Sequence, residues 1–344
     1  MSVALQRMVA QRLVGPGLAG GAEVVRHLAC VQAQDLPGAL ASVRLRTAAG
    51  GVDVAEALAT GEVVRSWPMR GTLHLVAGED LGWMLGLTGP RLISGAAARR
   101  RALGLTEDHA RRAEDLARGA LAGGRSIRRD ELMAIWEDAG LLGVPQRGYH
   151  LLWWISQTGV TCFGPLDGGE QRIVLLEEWV PQPRRPERSA ALADWIGRYF
   201  RSHGPATRAD AIRWTGLTAR DVDEGLAGAE GLTTVVIDGV THHLDPEVPG
   251  RLAALGRRAR TALLLPGFDE LILGYADRSA TLATEHAERI VPGGNGMFRA
   301  TIVDAGRVVG TWRHQGTGAR RRVVAEPFGV LTARARAAVA AAGG

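Results

Sequence analysis

Residues 30–38 of this 344-residue chain read CVQAQDLPG, and within them Gln32 and Gln34 flank a single alanine, with Asp35 immediately after. Glutamine neither gains nor loses a proton near pH 7, so the pair cannot work by acid–base transfer. An amide offers a dipole instead. Its carbonyl oxygen can present a fixed negative end to a developing cation, and its oxygen and NH2 together can hold and orient a water. That chemistry suits a bond whose leaving group already carries positive charge and departs without being protonated. Such a bond does not need all of the ~10²–10⁴-fold that general-base help supplies, and Asp35 stands beside the pair as a carboxylate helper.

Other side chains compete for attention. FDELILGYADRS offers Asp269, Glu270 and Asp277 as a rival carboxylate set, with Asp277 expected to pair structurally with Arg278. SWPMRG places Trp67 and Met69 beside Arg70 at a turn, and apolar wedges next to arginine suit the DNA minor groove. In TLHLV, Thr72, His74 and Val76 share one strand face, which lets His74 line a site. Arg147 falls where a recognition helix would meet phosphate, and Asn295 lies in PGGNG, a glycine-rich hairpin between Arg289 and Arg299 that can approach a DNA backbone. His242 and His243 are strand neighbours that point to opposite faces, a poor metal site. No zinc spacing and no phosphate-binding glycine loop is present, so neither metal nor cofactor is expected.

Inside a helix, residues two apart point about 200° away from each other, so the glutamines can share a site only on a strand or at a helix end. Pro37 disfavours helix at Leu36 and Asp35 suits an N-cap, which predicts that the pair sits where one helix gives way to the next. Helical periodicity occupies roughly 4–14, 21–32, 37–46 and 53–60, and VVRSW and TLHLV then read as a hairpin. The pattern of helices followed by a hairpin recurs. It predicts an α+β chain of winged-helix units: 1–77 with the glutamine pair, a helical connector 78–122, a second unit 123–180 opened by an N-cap at Ser126, a third 188–246, and a β-rich portion 258–344. VPQPRRPERS reads as a linker, Thr207-x-x-Asp210 as a capping box, and Asp238-Gly239 as a hairpin turn.

Composition sets the limits. Hydrophobic residues make up 46% of the chain and mean hydropathy is near zero, as in globular proteins, and no apolar run approaches the ~20 residues of a membrane span. The N-terminus carries no signal-peptide pattern, and Cys30 and Cys162 form no disulfide or metal framework, so a reducing, cytoplasmic setting is expected. All 41 basic residues are arginine. The net charge of +5 fits a nucleic-acid partner, while the absence of lysine fits a GC-rich genome.

The blocks VQAQD, SWPMRGTLHLV, HGPATRADAIRWTGL, LLPGFDELILGYADRS and GRVVGTWR, in this order along the chain, resemble the winged-helix family of DNA glycosylases that includes AlkZ and YcaQ. The resemblance implies three tandem winged-helix units with a C-terminal β portion, arranged as a C-shaped clamp. It implies a monomer acting on duplex DNA with alkylated bases, and monofunctional hydrolysis of the bond between deoxyribose and a cationic purine, in repair or in self-resistance to alkylating antibiotics. Some members unhook interstrand crosslinks. Gln32-Ala33-Gln34 is similar to the motif of the AlkZ branch, which implies catalytic roles for Gln32 and Gln34. With no lysine to form a Schiff base, a lyase step is not expected. A non-catalytic DNA-binding regulator is the alternative that winged helices alone would fit, and a nucleoside or glycoside hydrolase is the third.

Overall fold

The structure, a computed structural model, describes residues 2–343. It divides into two compact units, one built from the chain up to Gly51 together with the chain from Leu192 onward, the other from Val52–Ala191. The segments read from sequence are finer than this division, and the first of them, 1–77, runs across it.

The first unit opens with the helix Val3–Ala10, capped by Ser2, whose Oγ accepts from the Leu5 N–H. Periodicity extended this helix to residue 14, but Arg12 takes φ 59° and ends it. Two strands that alternation did not signal, Leu18–Gly20 and Thr47–Val52, pair with each other. The helix Gly21–Leu28 stops at Ala29, where φ is 65°. Cys30–Gln32 is therefore a short buried strand rather than the last turn of a helix, and the helix Leu36–Arg44 follows, with Pro37 in its first turn.

After Leu192 come the rest of the helix Arg188–His203 and the helices Arg208–Thr215 and Ala219–Gly228. The Thr207–Asp210 capping box forms as read, each side chain bonded to the other's backbone N–H. The hairpin Thr233–Ile237 with Val240–Leu244 turns at Asp238-Gly239, both at positive φ. Strands Ala262–Leu265, Thr301–Asp304, Arg307–Gln315 and Arg322–Pro327 make a four-stranded antiparallel sheet in that order, with the helix Ala333–Gly343 against it. The apolar stretch after residue 265 is not a further strand. Asp269 caps a helical turn, Glu270–Leu273, by accepting from the Leu271 N–H at 3.0 Å. The core collects Leu5, Met8 and Val9 of the first helix with Leu252, Leu265, Leu271 and Val303.

The second unit holds the hairpin Val63–Met69 with Thr72–Ala77, the helices Gly78–Gly95, Glu107–Leu121, Arg129–Asp138 and Arg147–Gln157, and the hairpin Thr161–Asp167 with Glu170–Leu175. The two hairpins join through Arg65 and Phe163. Ser126 is not the cap of its helix. Ile127 is drawn into a bridge with Ile173, so the helix begins at Arg129 with Arg128 as N-cap. Trp67, Leu132, Trp136 and Leu151 lie at the centre of this unit's core. Among the described residues no helix is long and apolar enough to cross a membrane.

Candidate active site

Gln32 closes the buried strand and is itself only 6% exposed. Its backbone N–H donates to Glu270 Oε1 at 3.2 Å. Glu270 is fully buried, and its second oxygen accepts from the Trp214 indole N–H at 2.8 Å. His203 Nε2 lies 3.5 Å from that same oxygen, and the imidazole stacks on Tyr199 with centroids 4.7 Å apart. The strand at Gln32 and two consecutive helices, ending at His203 and carrying Trp214, thus converge on the one carboxyl group that grips Gln32's backbone.

The network continues inward. Tyr275 donates its hydroxyl to the His203 carbonyl at 2.8 Å and accepts from Gln11 Nε2 at 2.9 Å. Gln11 Oε1 accepts from Arg46 Nη2, and Arg46 makes a two-pronged pair with Asp269 at 2.9 Å on each side. Ser42 Oγ also donates to Asp269, at 2.7 Å. Both members of the Arg46–Asp269 pair are fully buried. Burial by itself would raise the Asp269 pKa, but the Arg46 charge and the bonds it receives outweigh burial and hold it below the usual carboxylate value. Burial pushes the phenols of Tyr199 and Tyr275 up, so both remain protonated donors. Arg7 lies 3.6 Å over the Tyr275 ring and donates to the Pro205 carbonyl at 3.0 Å. Every member is held from several directions, which makes the strand end at Gln32 a rigid platform.

Gln34 differs. It and Asp35 are exposed in a bend between strand and helix. Asp35 occupies the N-cap position but makes no side-chain capping bond. Its Oδ2 rests where a Cβ on Gly38 would be, 2.4 Å from that point, so the glycine is what lets the carboxylate lie against the helix start. The expected helix–helix junction is corrected to a strand–helix junction, and there the two glutamines differ in exposure.

Trp67 and Met69 are fully buried, Trp67 against Phe163 with centroids 5.6 Å apart, so they are packing residues rather than wedges. Arg70 turns the hairpin at φ 53° and donates to His74 Nε2 at 3.2 Å. His74 is buried, its Nδ1–H donating to the Thr72 carbonyl at 2.8 Å, and burial together with Arg70 keeps it neutral, its pKa well below the ordinary histidine value. Arg147 spends its guanidinium on the Leu103 and Leu142 carbonyls at 2.8–3.0 Å and so braces its own unit. The PGGNG stretch is a 3-10 turn, Pro292–Gly294, and not a hairpin, and Asn295 Oδ1 is occupied by the Met297 N–H at 2.9 Å. Asp277 does not pair with Arg278. It accepts from the Ser279 N–H and Oγ, because a two-residue loop closure lies nearer than the guanidinium. Among the described residues no group of three His, Cys, Asp or Glu could hold a metal.

The role of Glu270 was not legible beforehand, nor were those of His203, Trp214 and Arg46. One cue existed. Two acids inside the apolar run LLLPGFDELILGY are costly to bury without partners, so their placement already signalled a paired, internal carboxylate set.

The profile of AlkZ-like DNA glycosylases matches residues 25–344. A curated relative, the interstrand DNA cross-link repair glycosylase of Streptomyces sahachiroi, is 30% identical over 315 residues, covering 84% of this chain and 81% of that protein. The solved structure of the Streptomyces sahachiroi DNA glycosylase AlkZ superposes with a TM-score of 0.79 at 27% identity, covering 99% of this chain and 95% of that one.

Proposed function

This chain belongs to the AlkZ-like DNA glycosylase family, and on that premise we propose that it hydrolyses the N-glycosidic bond of cationic alkylated purines in duplex DNA, with Gln32 at the reacting sugar. An N7-alkylated guanine carries its positive charge before the bond breaks. Cleavage sends the bonding pair to the base, which leaves neutral, and a water oxygen then bonds to C1′. The sugar passes through an oxocarbenium-like state. The Gln32 carbonyl opposes that charge while its amide orients the water, Gln34 assists from its exposed position, and Asp35 takes the proton that the water loses. A fixed dipole is worth most when it does not have to reorganise, and the observation that carries this reading is the bond from the Gln32 N–H to the buried Glu270.

The finer architecture is part of the same proposal. The hairpins at 63–77, 161–175 and 233–244, each preceded by helices, support a reading as three winged-helix units. They would clamp duplex DNA as a C-shaped monomer in the cytoplasm, with 78–122 as connector and 258–344 as the β portion. The curated relative is named for interstrand cross-link repair, and we extend to this chain the capacity to unhook such links.

The test is to incubate the protein with duplex DNA that carries N7-methylguanine and score alkali-labile abasic sites. Release that Gln32→Ala abolishes supports the mechanism. Absent release, or release indifferent to Gln32→Ala, sinks it.

A further inference from the structure

We propose that Arg213 and Arg278 form a binding site for a backbone phosphate of duplex DNA, next to the support of Gln32. The role rests on the glycosylase reading, but the test below does not. Both arginines line a cavity of about 450 Å³ that Phe298, Gly294 and Gly296 also bound. Arg278 is fixed in place, its Nε donating to the Ile272 carbonyl at 2.8 Å and its guanidinium lying 5.1 Å over the Phe298 ring. Its Nη2 is buried and has no hydrogen-bond partner. No carboxylate pairs with Arg213 among the described residues, and its charge adds to burial in pushing the Arg278 pKa down to about 10.

Two acids share the wall, and both are turned to other donors. Asp277 accepts from the Ser279 N–H and Oγ at 2.8 and 2.9 Å, and Glu288 accepts from the Gly293 N–H at 2.6 Å. The cavity thus gathers two guanidinium groups that repel each other and leaves one buried NH2 group unused. A phosphate group answers both. Its oxygens accept charge-assisted hydrogen bonds, and its charge cancels the repulsion. A phosphodiester also fits the open, glycine-edged rim, where no Cβ stands at Gly294 or Gly296.

The location gives the site its meaning. Ile272, which holds Arg278, belongs to the turn Glu270–Leu273, and Trp214, which donates to Glu270, is the neighbour of Arg213. Successive helical residues point about 100° apart, so Trp214 turns inward to Glu270 while Arg213 faces out. Arg278 is therefore bonded to the turn that carries the carboxyl gripping the Gln32 backbone, and Arg213 stands on the helix whose Trp214 bonds to that carboxyl. Phosphate contacts set register and carry no sequence information, and here they would place the strand that bears the reacting nucleotide.

The experiment measures binding of the full chain to a short undamaged fluorescent duplex across a salt series, for the wild type, Arg213→Gln, Arg278→Gln and, as a surface control, Arg111→Gln. We expect the first two variants each to weaken binding several-fold regardless of sequence and to lower the slope of log K against log salt by about one. Arg278 also braces its loop, so Arg213→Gln, an exposed position, keeps the test decisive if Arg278→Gln does not fold. A slope for Arg213→Gln equal to that of the wild type overturns the proposal. So does inorganic phosphate that binds wild type and not Arg213→Gln while the duplex slope stays unchanged, since the cavity would then take a small phosphate instead of DNA. Excision of N7-methylguanine is scored in parallel. A lowered slope without excision refutes the glycosylase mechanism and leaves this site standing.

Discussion

The backbone N–H of Gln32 and the side chain of Glu270, 238 residues apart in sequence, meet at 3.2 Å in the interior of one unit. The bond anchors Gln32 through its backbone. Glu270 therefore acts on Gln32 by position.

Glu270→Ala removes the buried acceptor that the Gln32 N–H and the Trp214 indole N–H share, and we expect a stability loss of about 2–5 kcal/mol by urea unfolding. Glu270→Gln keeps the shape but turns an NH2 toward one of the two donors. It should fold, bind duplex DNA normally, and excise more slowly. Excision within twofold of the wild type would show that the carboxylate does not position Gln32.

The two glutamines should separate in single-turnover assays. Gln32→Ala is expected to lower the excision rate by about 10²-fold or more, the usual loss for one preorganised dipole. Gln34→Ala should cost less, with stability unchanged to about 0.5 kcal/mol because the residue is exposed. Equal losses from both would mean that the difference in burial has no catalytic consequence.

Substrate choice follows from the absence of a proton donor on the glutamines. Duplexes with N7-methylguanine should be cleaved at least about 10²–10⁴-fold faster than those with uracil or hypoxanthine, whose release gains from protonation. Comparable rates on neutral and cationic bases would point to a general acid elsewhere.

Asp35 can be tested through Gly38. A Cβ at Gly38 meets Asp35 Oδ2 at 2.4 Å, so Gly38→Ala displaces the carboxylate. The helix itself gains about 1 kcal/mol of propensity, and the fold should hold. Gly38→Ala and Asp35→Asn are expected to slow excision together, by about 10- to 100-fold. An active Asp35→Asn would remove Asp35 from the proton transfer.

Acid stability should carry the mark of His27. Its Nε2–H donates to the Ala10 carbonyl at 2.7 Å, and burial lowers its pKa from 6.5 to about 4. Between those values the unfolded chain binds more protons than the folded one, so stability is full above pH 6.5 and falls as pH drops toward 4. Unfolding free energies at pH 7 and pH 5 should differ by roughly 2 kcal/mol more in the wild type than in His27→Gln, which keeps an amide donor and does not titrate. Parallel pH curves for the two proteins would assign the acid sensitivity to other groups.

Local chemistry was legible where it is written in neighbouring residues. The Thr207–Asp210 capping box and the Asp238-Gly239 turn needed only short-range geometry, and both appear as read. The family was legible as well, because blocks in order do not depend on the fold. Elements decided by one residue were not. Ala29 at positive φ converts an expected helix end into the strand that carries Gln32, and nothing in alanine announces a left-handed backbone. Trp67 and Met69 illustrate the same limit from the other side. A turn-flanking tryptophan looks like a wedge in sequence, but only the packing of Phe163 and its neighbours decides that it faces inward.

By itself the sequence determined that an amide pair, and not a carboxylate pair, stands in the motif. It did so because side-chain chemistry is intrinsic to residue type. What holds that motif still was decided only by the tertiary structure. Glu270 bonds to the Gln32 backbone, Trp214 bonds to Glu270, His203 lies 3.5 Å from it, and Tyr275 and Arg46 brace His203 and Asp269 behind them. Contacts between residues so far apart along the chain follow from how the helices and the buried strand pack, which no local pattern records.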